Sequence, residues 1–313
     1  MRTITLVLMS LLTVSQAAAQ YDYGFDFTKA GTAGYQFLKI GAGARETALG
    51  QAAAALTNDA NAVFWNVGGL PLVEQPQVLF SHASWLNGSA HDAAVLAIPV
   101  GPYVFGISAV RFAIDEFEET TVLAPTGTGR MVGARDLLIG VAASRRFTDK
   151  LTIGVQLKYV EEKLDDVAFH NFLFDVGAVY YTGFHFLRLA FALQHFGADM
   201  NVLRVRFRMP LLFRLSVGDD LIKNDMHRLT AAAELVHPTD NDEVLNTGVE
   251  YEFMSILALR GGYRVNADEG NLTFGAGVRS PSLGSINVRF DYAYVTYGEV
   301  FGATHRFSLG VGF

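Results

Sequence analysis

Apolar and polar residues alternate along most of the chain after its first quarter. In the segment 151–159, for example, Leu151 and Ile153 alternate with Thr152 and Gly154. A two-residue period places successive side chains on opposite faces of a β-strand, so each segment has one apolar face and one polar or small face. This pattern is typical of strands that cross a membrane as part of a closed barrel.

About fourteen such segments can be counted, each near the ~9–11 residues that a tilted spanning strand needs. An even number is expected for a bacterial single-chain barrel. The predicted segments lie near 76–86, 90–99, 103–114, 132–147, 151–163, 169–182, 186–196, 209–218, 227–236, 244–253, 256–265, 270–280, 284–297 and 303–313.

The predicted connections alternate between long and short. The long ones, Asp115 to Met131, Glu161 to Ala168 and Gly197 to Arg208, all follow odd-numbered strands. Outer-membrane barrels have short periplasmic turns and longer outer loops. We therefore expect a cell outer membrane location, with the long loops outside and both termini in the periplasm.

The stretch 38–71 does not alternate and predicts a compact plug. It is rich in Ala and Gly, and Arg45 to Leu56 suits a helix with its small residues on one face. Asn58 and Asp59 break that helix, and a second short turn is expected over Asn61 to Trp65. Gly68, Gly69 and a proline then close the stretch. Small residues favour close packing against a surrounding wall.

The plug sequence also resembles a known family. The order is LKIGAGAR, a small-residue helix, Asn58-Asp59, then FWN-x-x-GL. It resembles the PorV/PorQ family of outer-membrane proteins, which is linked to type IX secretion. It is more distantly similar to the FadL-type fatty-acid transporters, whose plug often ends in Asn-Pro-Ala-Gly where this chain has Asn66-Val67-Gly68-Gly69. The resemblance covers about forty residues, including Arg45 and Trp65.

The N-terminus predicts export. Arg2 precedes an apolar core, and Ala17-x-Ala19 is a small-residue cleavage signature. We therefore divide the chain into a signal peptide (1–19), an extended arm (20–34), the plug (35–75) and the barrel (76–313). A disordered N-terminus is an equally open interpretation of the arm.

Composition agrees with a membrane barrel. Hydrophobic residues make up 50% of the chain and charged residues only 18%, against ~25% in soluble domains. No apolar run after the signal is long enough to form a spanning helix. The chain has no Cys, which excludes disulfides, thiolate nucleophiles and Cys-ligated metals.

Many charges fall on the predicted inward faces. They suit a polar conduit, a ligand site, or a lattice of ion pairs that ties the plug to the wall. We favour the lattice, because enclosed charges need partners. Large inward apolar side chains are expected to be few. The inward charges are Lys158, Asp175, Arg188, Arg214, Arg228, Glu234, Glu250, Glu252, Arg260, Arg264, Arg279, Arg289 and Asp291.

No catalytic constellation, metal motif or cofactor motif is apparent, so no enzyme activity is expected. Gly41-Ala42-Gly43 lacks the third glycine of a dinucleotide loop, since Glu46 occupies that place, and the His residues have no metal spacing. The net charge of −7 argues against nucleic-acid binding.

Two predicted loops carry clustered charge. Glu118 and Glu119 belong to an acidic cluster that suits either cation binding or a solvated rim. Arg204, Arg206 and Arg208 form a basic patch that suits contact with lipopolysaccharide or a protein, or merely a strand end above the membrane. The last strand ends in Phe313, which resembles the terminal signal read by the barrel-assembly machinery.

The sequence thus predicts an all-β transmembrane antiparallel barrel with an N-terminal helical plug. Its expected partners are outer-membrane lipid, the barrel-assembly machinery and a secretion translocon or the C-terminal domains of exported proteins. The resemblance implies a non-enzymatic type IX secretion or sorting component that binds exported proteins through its outer loops. A FadL-like channel for hydrophobic small molecules is the alternative, and a purely structural porin-like protein remains open.

Overall fold

The computed structural model describes residues 29–202, 205–280 and 286–313. The predicted signal peptide, Met1 to Ala19, and most of the predicted arm lie outside the described residues, as does Arg204. The division of the chain at residues 19 and 34 therefore stays a prediction.

Fourteen antiparallel strands close into a barrel, and a separate two-stranded hairpin lies outside the barrel order. The barrel strands are β1 (Gln77–Ser84), β2 (Ala90–Val100), β3 (Tyr103–Glu118), β4 (Met131–Arg146), β5 (Leu151–Leu164), β6 (Val167–Tyr181), β7 (Arg188–Gly197), β10 (Leu212–Lys223), β11 (His227–Pro238), β12 (Val244–Phe253), β13 (Leu257–Val265), β14 (Leu272–Arg279), β15 (Asn287–Thr296) and β16 (Ala303–Gly312); the hairpin is β8 (Met200–Val202) and β9 (Val205–Phe207).

The predicted number and order of strands are confirmed. Each barrel strand pairs with its neighbours in sequence, and β1 closes the barrel against β16, with Gln77 opposite Gly312 and Ser84 opposite His305. The hairpin β8–β9 was not predicted. Its strands have three residues each, which is too short for alternation to distinguish them from a loop.

The outer surface of the barrel is apolar. Leu215 is 62% exposed on this face, Leu259 63% and Phe274 50%, while the residues between them on each strand are buried. An exposed apolar face of this extent on a closed barrel is the surface of a membrane-spanning protein. In the parts of the chain that the structure describes, no helix is long and apolar enough to cross a membrane.

The two ends of the barrel differ. We call the end at Gln77 and Gly312 the terminal end, and the opposite end the loop end. The longest described connections, 119–130 and 198–211, are at the loop end. The prediction of a long loop from Glu161 to Ala168 was wrong: β5 and β6 continue through it and leave only a turn at 165–166. Asp115 to Met131 is likewise shorter, because β3 and β4 extend beyond the neighbouring strands.

Residues 35–75 fill the lumen, which confirms the plug. The helix predicted from Arg45 to Leu56 is wrong in length, since α1 spans only Ala44–Ala48. Gly50 and Gln51 have φ of 63° and 65°, which ends the helix. The other helical segments of the described chain are α2 (Ala62–Trp65), α3 (Gly298–Phe301) and the 3₁₀ turns Gln36–Lys39, Val67–Leu72 and Leu86–Gly88.

Backbone contacts hold the plug against the wall. A Cβ built on Gly50 falls 2.7 Å from the Thr247 carbonyl oxygen, and one built on Gly68 falls 2.8 Å from the Ala178 Cα. Only glycine allows the two backbones to approach so closely. The small residues of the plug therefore serve close packing, as the sequence indicated.

The described chain begins at the loop end. The Gly34 amide donates to the Arg208 carbonyl at 3.0 Å, and Ala33 forms a bridge with the same residue. The chain then runs through the lumen to β1 at the terminal end, where Phe313 also lies. The start of the described chain and the C-terminus are thus at opposite ends of the barrel. The N-terminus lies outside the described residues, so the expectation that both termini are periplasmic stays a prediction.

Candidate functional site

Residues 33–40 are fixed in the loop end of the lumen, and we call them the arm from here on, since they join the predicted extended arm to the rest of the plug. Lys39 Nζ forms an ion pair with Asp240 at 2.9 Å, and Gln36 Nε2 donates to the same carboxylate at 2.8 Å. The Tyr35 amide donates to Glu162 at 3.0 Å. These three contacts attach the arm to two different parts of the wall.

An apolar chamber surrounds this segment. Tyr35 and Phe37 are buried in it, with exposed fractions of 1% and 4%. Beside the arm, the remaining cavity holds about 30 Å³, roughly one water molecule. The arm therefore occupies and closes the chamber. The wall of this chamber consists of inward-facing apolar side chains, namely Ala93, Val110, Leu138, Val160, Leu173 and Met209.

A buried polar layer closes the chamber toward the terminal end. Lys158 pairs with Asp175, which also accepts from the His195 amide at 2.8 Å. Arg214 donates to Gln194 at 2.7 Å and to Glu234 at 2.7 Å.

Trp65 of the plug joins this layer. The Arg214 guanidinium lies 5.2 Å from the Trp65 ring centroid, and Gln194 donates to the Phe64 carbonyl. Charge-assisted hydrogen bonds and the cation–π contact together seal the lumen below the chamber.

Further toward the terminal end, an ion-pair lattice joins plug and wall. Arg45 donates to Glu250 at 2.9 and 2.7 Å, and Arg260 bridges Glu250 and Asp291. Arg289 then connects Asp291 to Asp59 of the plug at 2.6 Å.

The lattice therefore begins and ends on the plug, with wall residues between. This confirms the interpretation of these inward charges as structural pairs. Breaking one partner of such a buried pair leaves an uncompensated charge, which typically costs roughly 3–5 kcal/mol.

Glu46 of α1 is a buried carboxyl beside this lattice. Burial and, to a smaller extent, the neighbouring Asp59 carboxylate raise its pKa to about 7, against the opposing effect of Arg45 and Arg289. Its Oε2 accepts a hydrogen bond from Asn61 at 3.1 Å, but Oε1 has no partner among the described residues.

The structure brings the predicted plug residues together. Arg45 donates to Asn58 at 3.1 Å, and the Trp65 indole donates to the Ala42 carbonyl at 2.8 Å.

The glycine turn is fixed by Asn66. The Asn66 side chain donates to Ala54 and Ala178 and accepts from the Gly68 amide. A Cβ on Gly69 would lie 2.6 Å from the Thr57 carbonyl oxygen, so this turn requires glycine. Asn66, Gly68 and Gly69 thus shape the plug, whereas Trp65, Asn58 and Asp59 also line cavities beside it.

Most of the predicted partner-binding residues form contacts within their own loops. Glu118 and Glu119 hydrogen-bond within their own loop, to the Gly129 amide and to Thr128 and Arg130. Arg206 pairs with Asp199 at 2.8 Å. Arg208 meets the arm through its backbone. Their role in partner binding stays a prediction, as does the assembly role of Phe313.

Sequence reasoning missed the apolar chamber. The expectation of few large inward apolar side chains was wrong for β3 to β6, where Val110, Leu138, Val160 and Leu173 point inward. These strands carry apolar residues at inward positions as well as at outward ones. The inward set was missed because a run that is apolar on both faces does not alternate.

The described residues contain no group of three or more His, Asp or Glu side chains that could hold a metal ion. The site offers burial of apolar surface beside fixed charges.

Comparison with known proteins supports this architecture. Residues 10–160 match the model of an uncharacterised protein family, UPF0164, over just under half of the chain. No curated protein sequence matches.

Several solved barrels share the fold. The Ralstonia pickettii toluene transporter TbuX has 14% identity and a TM-score of 0.60, with 87% of this chain and 97% of that chain covered. A Pseudomonas aeruginosa FadL homologue has 13% identity and a TM-score of 0.59, with coverage of 87% and 98%. The Pseudomonas putida toluene transporter TodX has 13% identity and a TM-score of 0.58, with coverage of 87% and 96%.

Proposed function

We propose that this protein is an outer-membrane channel for hydrophobic small molecules, with its loop end outside the cell. The observation that carries the proposal is the Phe37 ring, which is buried in an apolar chamber built by the wall. A ligand pocket is typically a concave apolar site with a few polar groups at its edge. The similar folds of transporters whose names include toluene add support.

Entry requires the arm to move. Its attachments are the ion pair of Lys39 and the hydrogen bonds of Gln36 and Tyr35, all near the loop end. When the arm leaves, an apolar molecule replaces the aromatic rings against Val110 and Leu138. Full burial of one large apolar side chain contributes ~1.5–3 kcal/mol. An apolar molecule that takes the place of such a side chain gains a similar free energy of burial. Passage beyond the chamber requires the plug to shift, because Lys158, Arg214 and Trp65 close the lumen.

The test is uptake of radiolabelled toluene by cells that express the protein and lack other hydrocarbon channels. Phe37→Ala empties part of the chamber and should raise the uptake rate. Val110→Phe fills the chamber and should lower it. Ile107→Phe adds the same ring to the same strand on the outer face, where Ile107 is 55% exposed, and should leave uptake unchanged.

Unboiled gel electrophoresis confirms that all variants are folded. Equal toluene uptake by the Val110→Phe, Ile107→Phe and unchanged proteins would contradict the channel. Entry of a hydrophilic sugar through Phe37→Ala without any gain for toluene would show an unselective leak instead.

A second candidate is the type IX secretion role implied by the plug resemblance. The observation in its favour is the tip of the loop 119–130, where Val122 and Leu123 are 98% and 96% exposed. Apolar side chains presented in this way suit contact with a protein partner. A pull-down from native membranes tests this candidate by comparing the intact protein with a Val122→Ser, Leu123→Ser variant. A partner that binds the tip specifically should be recovered with the intact protein and lost with the variant.

A further inference from the structure

The outer face of the wall carries a groove across β16, β1, β2 and β3. Its floor is small, because Ala94 and Ala109 point outward where neighbouring strands carry large residues. Phe80, Phe307 and Leu137 form its sides. The groove holds about 410 Å³ and its lining is almost entirely apolar. A groove of this kind on the membrane face accommodates an acyl chain.

Charged residues border this outer groove. In the strand register Phe80 lies opposite Ala94, and Ala94 opposite Ala109. Two residues further along the strands, toward the loop end, His82 lies opposite Asp92 and Asp92 lies opposite Arg111. Asp92 accepts from His82 at 2.7 Å, while Arg111 is 3.5 Å from the other Asp92 oxygen. Arg111 is therefore only loosely paired.

A polar pocket continues from the outer groove. It holds about 440 Å³, shares Arg111 with the groove, and adds Arg135 and Lys163. Arg135 lies opposite Lys163 in the pairing of β4 with β5. Within residues 29–202, 205–280 and 286–313, neither Arg135 nor Lys163 forms an ion pair. Three outward cations thus lie beside one another at one edge of the apolar surface.

The position of these cations has an energetic reason. A Lys or Arg on the lipid face is costly at the bilayer midplane and costs little near the interface. The cations therefore mark the head-group level. Anionic head groups attract basic residues at this level.

We propose that the outer groove and the polar pocket together bind a membrane lipid whose phosphorylated head group carries a net negative charge. One acyl chain lies over Ala94 and Ala109, and the phosphate accepts hydrogen bonds from Arg111, Arg135 and Lys163. The polar pocket also contains four carboxylates, Asp115, Glu116, Asp165 and Asp166, of which the last two pair with Arg130. These carboxylates weaken the attraction for a free anion, so the apolar groove selects a lipid rather than a soluble phosphate.

The experiment is native mass spectrometry of the full chain in detergent, titrated with diphosphoryl lipid A. Phosphatidylcholine and inorganic phosphate are titrated in parallel. The unchanged protein should bind lipid A at least tenfold more tightly than phosphatidylcholine. The double variant Arg135→Gln, Lys163→Gln should lose most of this preference. Ala109→Leu, which fills the groove floor, should weaken binding of both lipids.

The control is Arg145→Gln, which removes one positive charge from the outward face of β4 near the terminal end, whereas the double variant removes two. It should bind lipid A like the unchanged protein. Equal loss in Arg145→Gln and in the double variant would overturn the site, because attraction would then be general. Displacement of lipid A by millimolar phosphate would also overturn it, since the pocket would be a simple anion site. Unchanged binding in every variant has the same consequence.

Discussion

Arg45 of the plug and Glu250 of β12 are joined by two parallel hydrogen bonds, Nε to Oε2 at 2.9 Å and Nη2 to Oε1 at 2.7 Å. Both side chains are buried. This bidentate geometry is the strongest form of an ion pair in proteins. It connects the plug to the middle of the wall, so it resists any outward movement of the plug.

Replacement of Arg45 by Ala should loosen the plug. Glu250 keeps Arg260 as a partner, but the empty guanidinium site and the broken pair should together destabilise the seated plug by roughly 3–5 kcal/mol. We expect a lower unfolding midpoint in detergent and faster entry of small hydrophilic solutes into liposomes that contain the protein. Tryptophan fluorescence reports the plug directly, since Trp65 is one of only two tryptophans in the chain.

Arg145→Ala is the control, because its guanidinium lies over outward Tyr103 and Phe147 rings and contacts no plug residue. Unchanged permeability in Arg45→Ala, with fluorescence like that of the control, would show that the plug is held by packing alone.

The lattice illustrates how far the sequence could lead. Alternation placed Glu250, Arg260, Arg289 and Asp291 on inward faces, and the need of enclosed charges for partners predicted ion pairs. The choice of partner was beyond that reasoning. Arg45 reaches Glu250 from the first turn of α1, and alternation along the strands says nothing about where α1 lies in the lumen.

Stability of the plug should depend on pH through Glu46. The folded pKa of about 7 is above the ordinary value of 4.5, so the folded state favours the protonated form. The cost of ionising Glu46 is absent below pH 4.5, grows as pH rises toward 7, and is complete above 7. Glu46→Gln should therefore unfold at a higher temperature than the unchanged protein at pH 8, and at the same temperature at pH 4.

The comparison needs a carboxyl that lies outside the lumen. Glu299→Gln, in the exposed α3, serves as the control and should give the same midpoint as the unchanged protein at both pH values. A Glu46→Gln midpoint that differs from that of the unchanged protein by an equal amount at pH 4 and pH 8 would mean that hydrogen bonding, not ionisation, governs this residue.

Gly50 and Gly101 allow a matched test of plug packing. Both have positive φ, at 63° and 58°, but Gly50 touches the wall whereas nothing lies within 4 Å of a Cβ on Gly101. Gly101→Ala should cost only the ~1–2 kcal/mol of a left-handed conformation. Gly50→Ala adds a clash with the Thr247 carbonyl and should displace the plug, which solute entry into liposomes measures. Similar permeability in the two variants would show that the wall gives way locally.

The chamber and the loops mark where sequence reasoning stopped. Outward Leu137 and Ile139 identify β4 as a strand, and they mask the inward Leu138 between them, because an unbroken apolar run has no period. The segment Glu161 to Ala168 looked like a loop because it is charged. It consists of the end of β5, a turn at 165–166 and the start of β6. These strands project beyond the apolar surface, so their outward residues there do not face lipid and can be charged.

Arg130 holds the loop 119–130 against the turn between β5 and β6. Its guanidinium bonds Glu119 at 3.3 Å, Asp165 at 2.5 Å and Asp166 at 2.8 Å. All four side chains are well exposed, so water and salt screen the pairs, and each contributes only ~0–1 kcal/mol. We therefore expect Arg130→Ala to leave the unfolding midpoint of the barrel almost unchanged. The loop itself loses its attachment and should become mobile.

Limited proteolysis separates these two effects. A protease without preference for basic residues should cleave Arg130→Ala between Thr120 and Gly129 several-fold faster than the unchanged protein. Salt at 0.5 M should abolish most of that difference, because it weakens the ion pairs of the unchanged protein. Arg111→Ala, which removes an exposed arginine from the neighbouring strand, should be cleaved at the unchanged rate. Equal cleavage of all three proteins at low salt would show that the turn Thr121–Ala124 and the backbone bonds of the loop fix it without Arg130. If cleavage does increase, one arginine controls the mobility of the loop that carries the exposed Val122 and Leu123. A partner that binds this tip should then bind Arg130→Ala more weakly, because binding must also overcome the conformational entropy of ordering the loop.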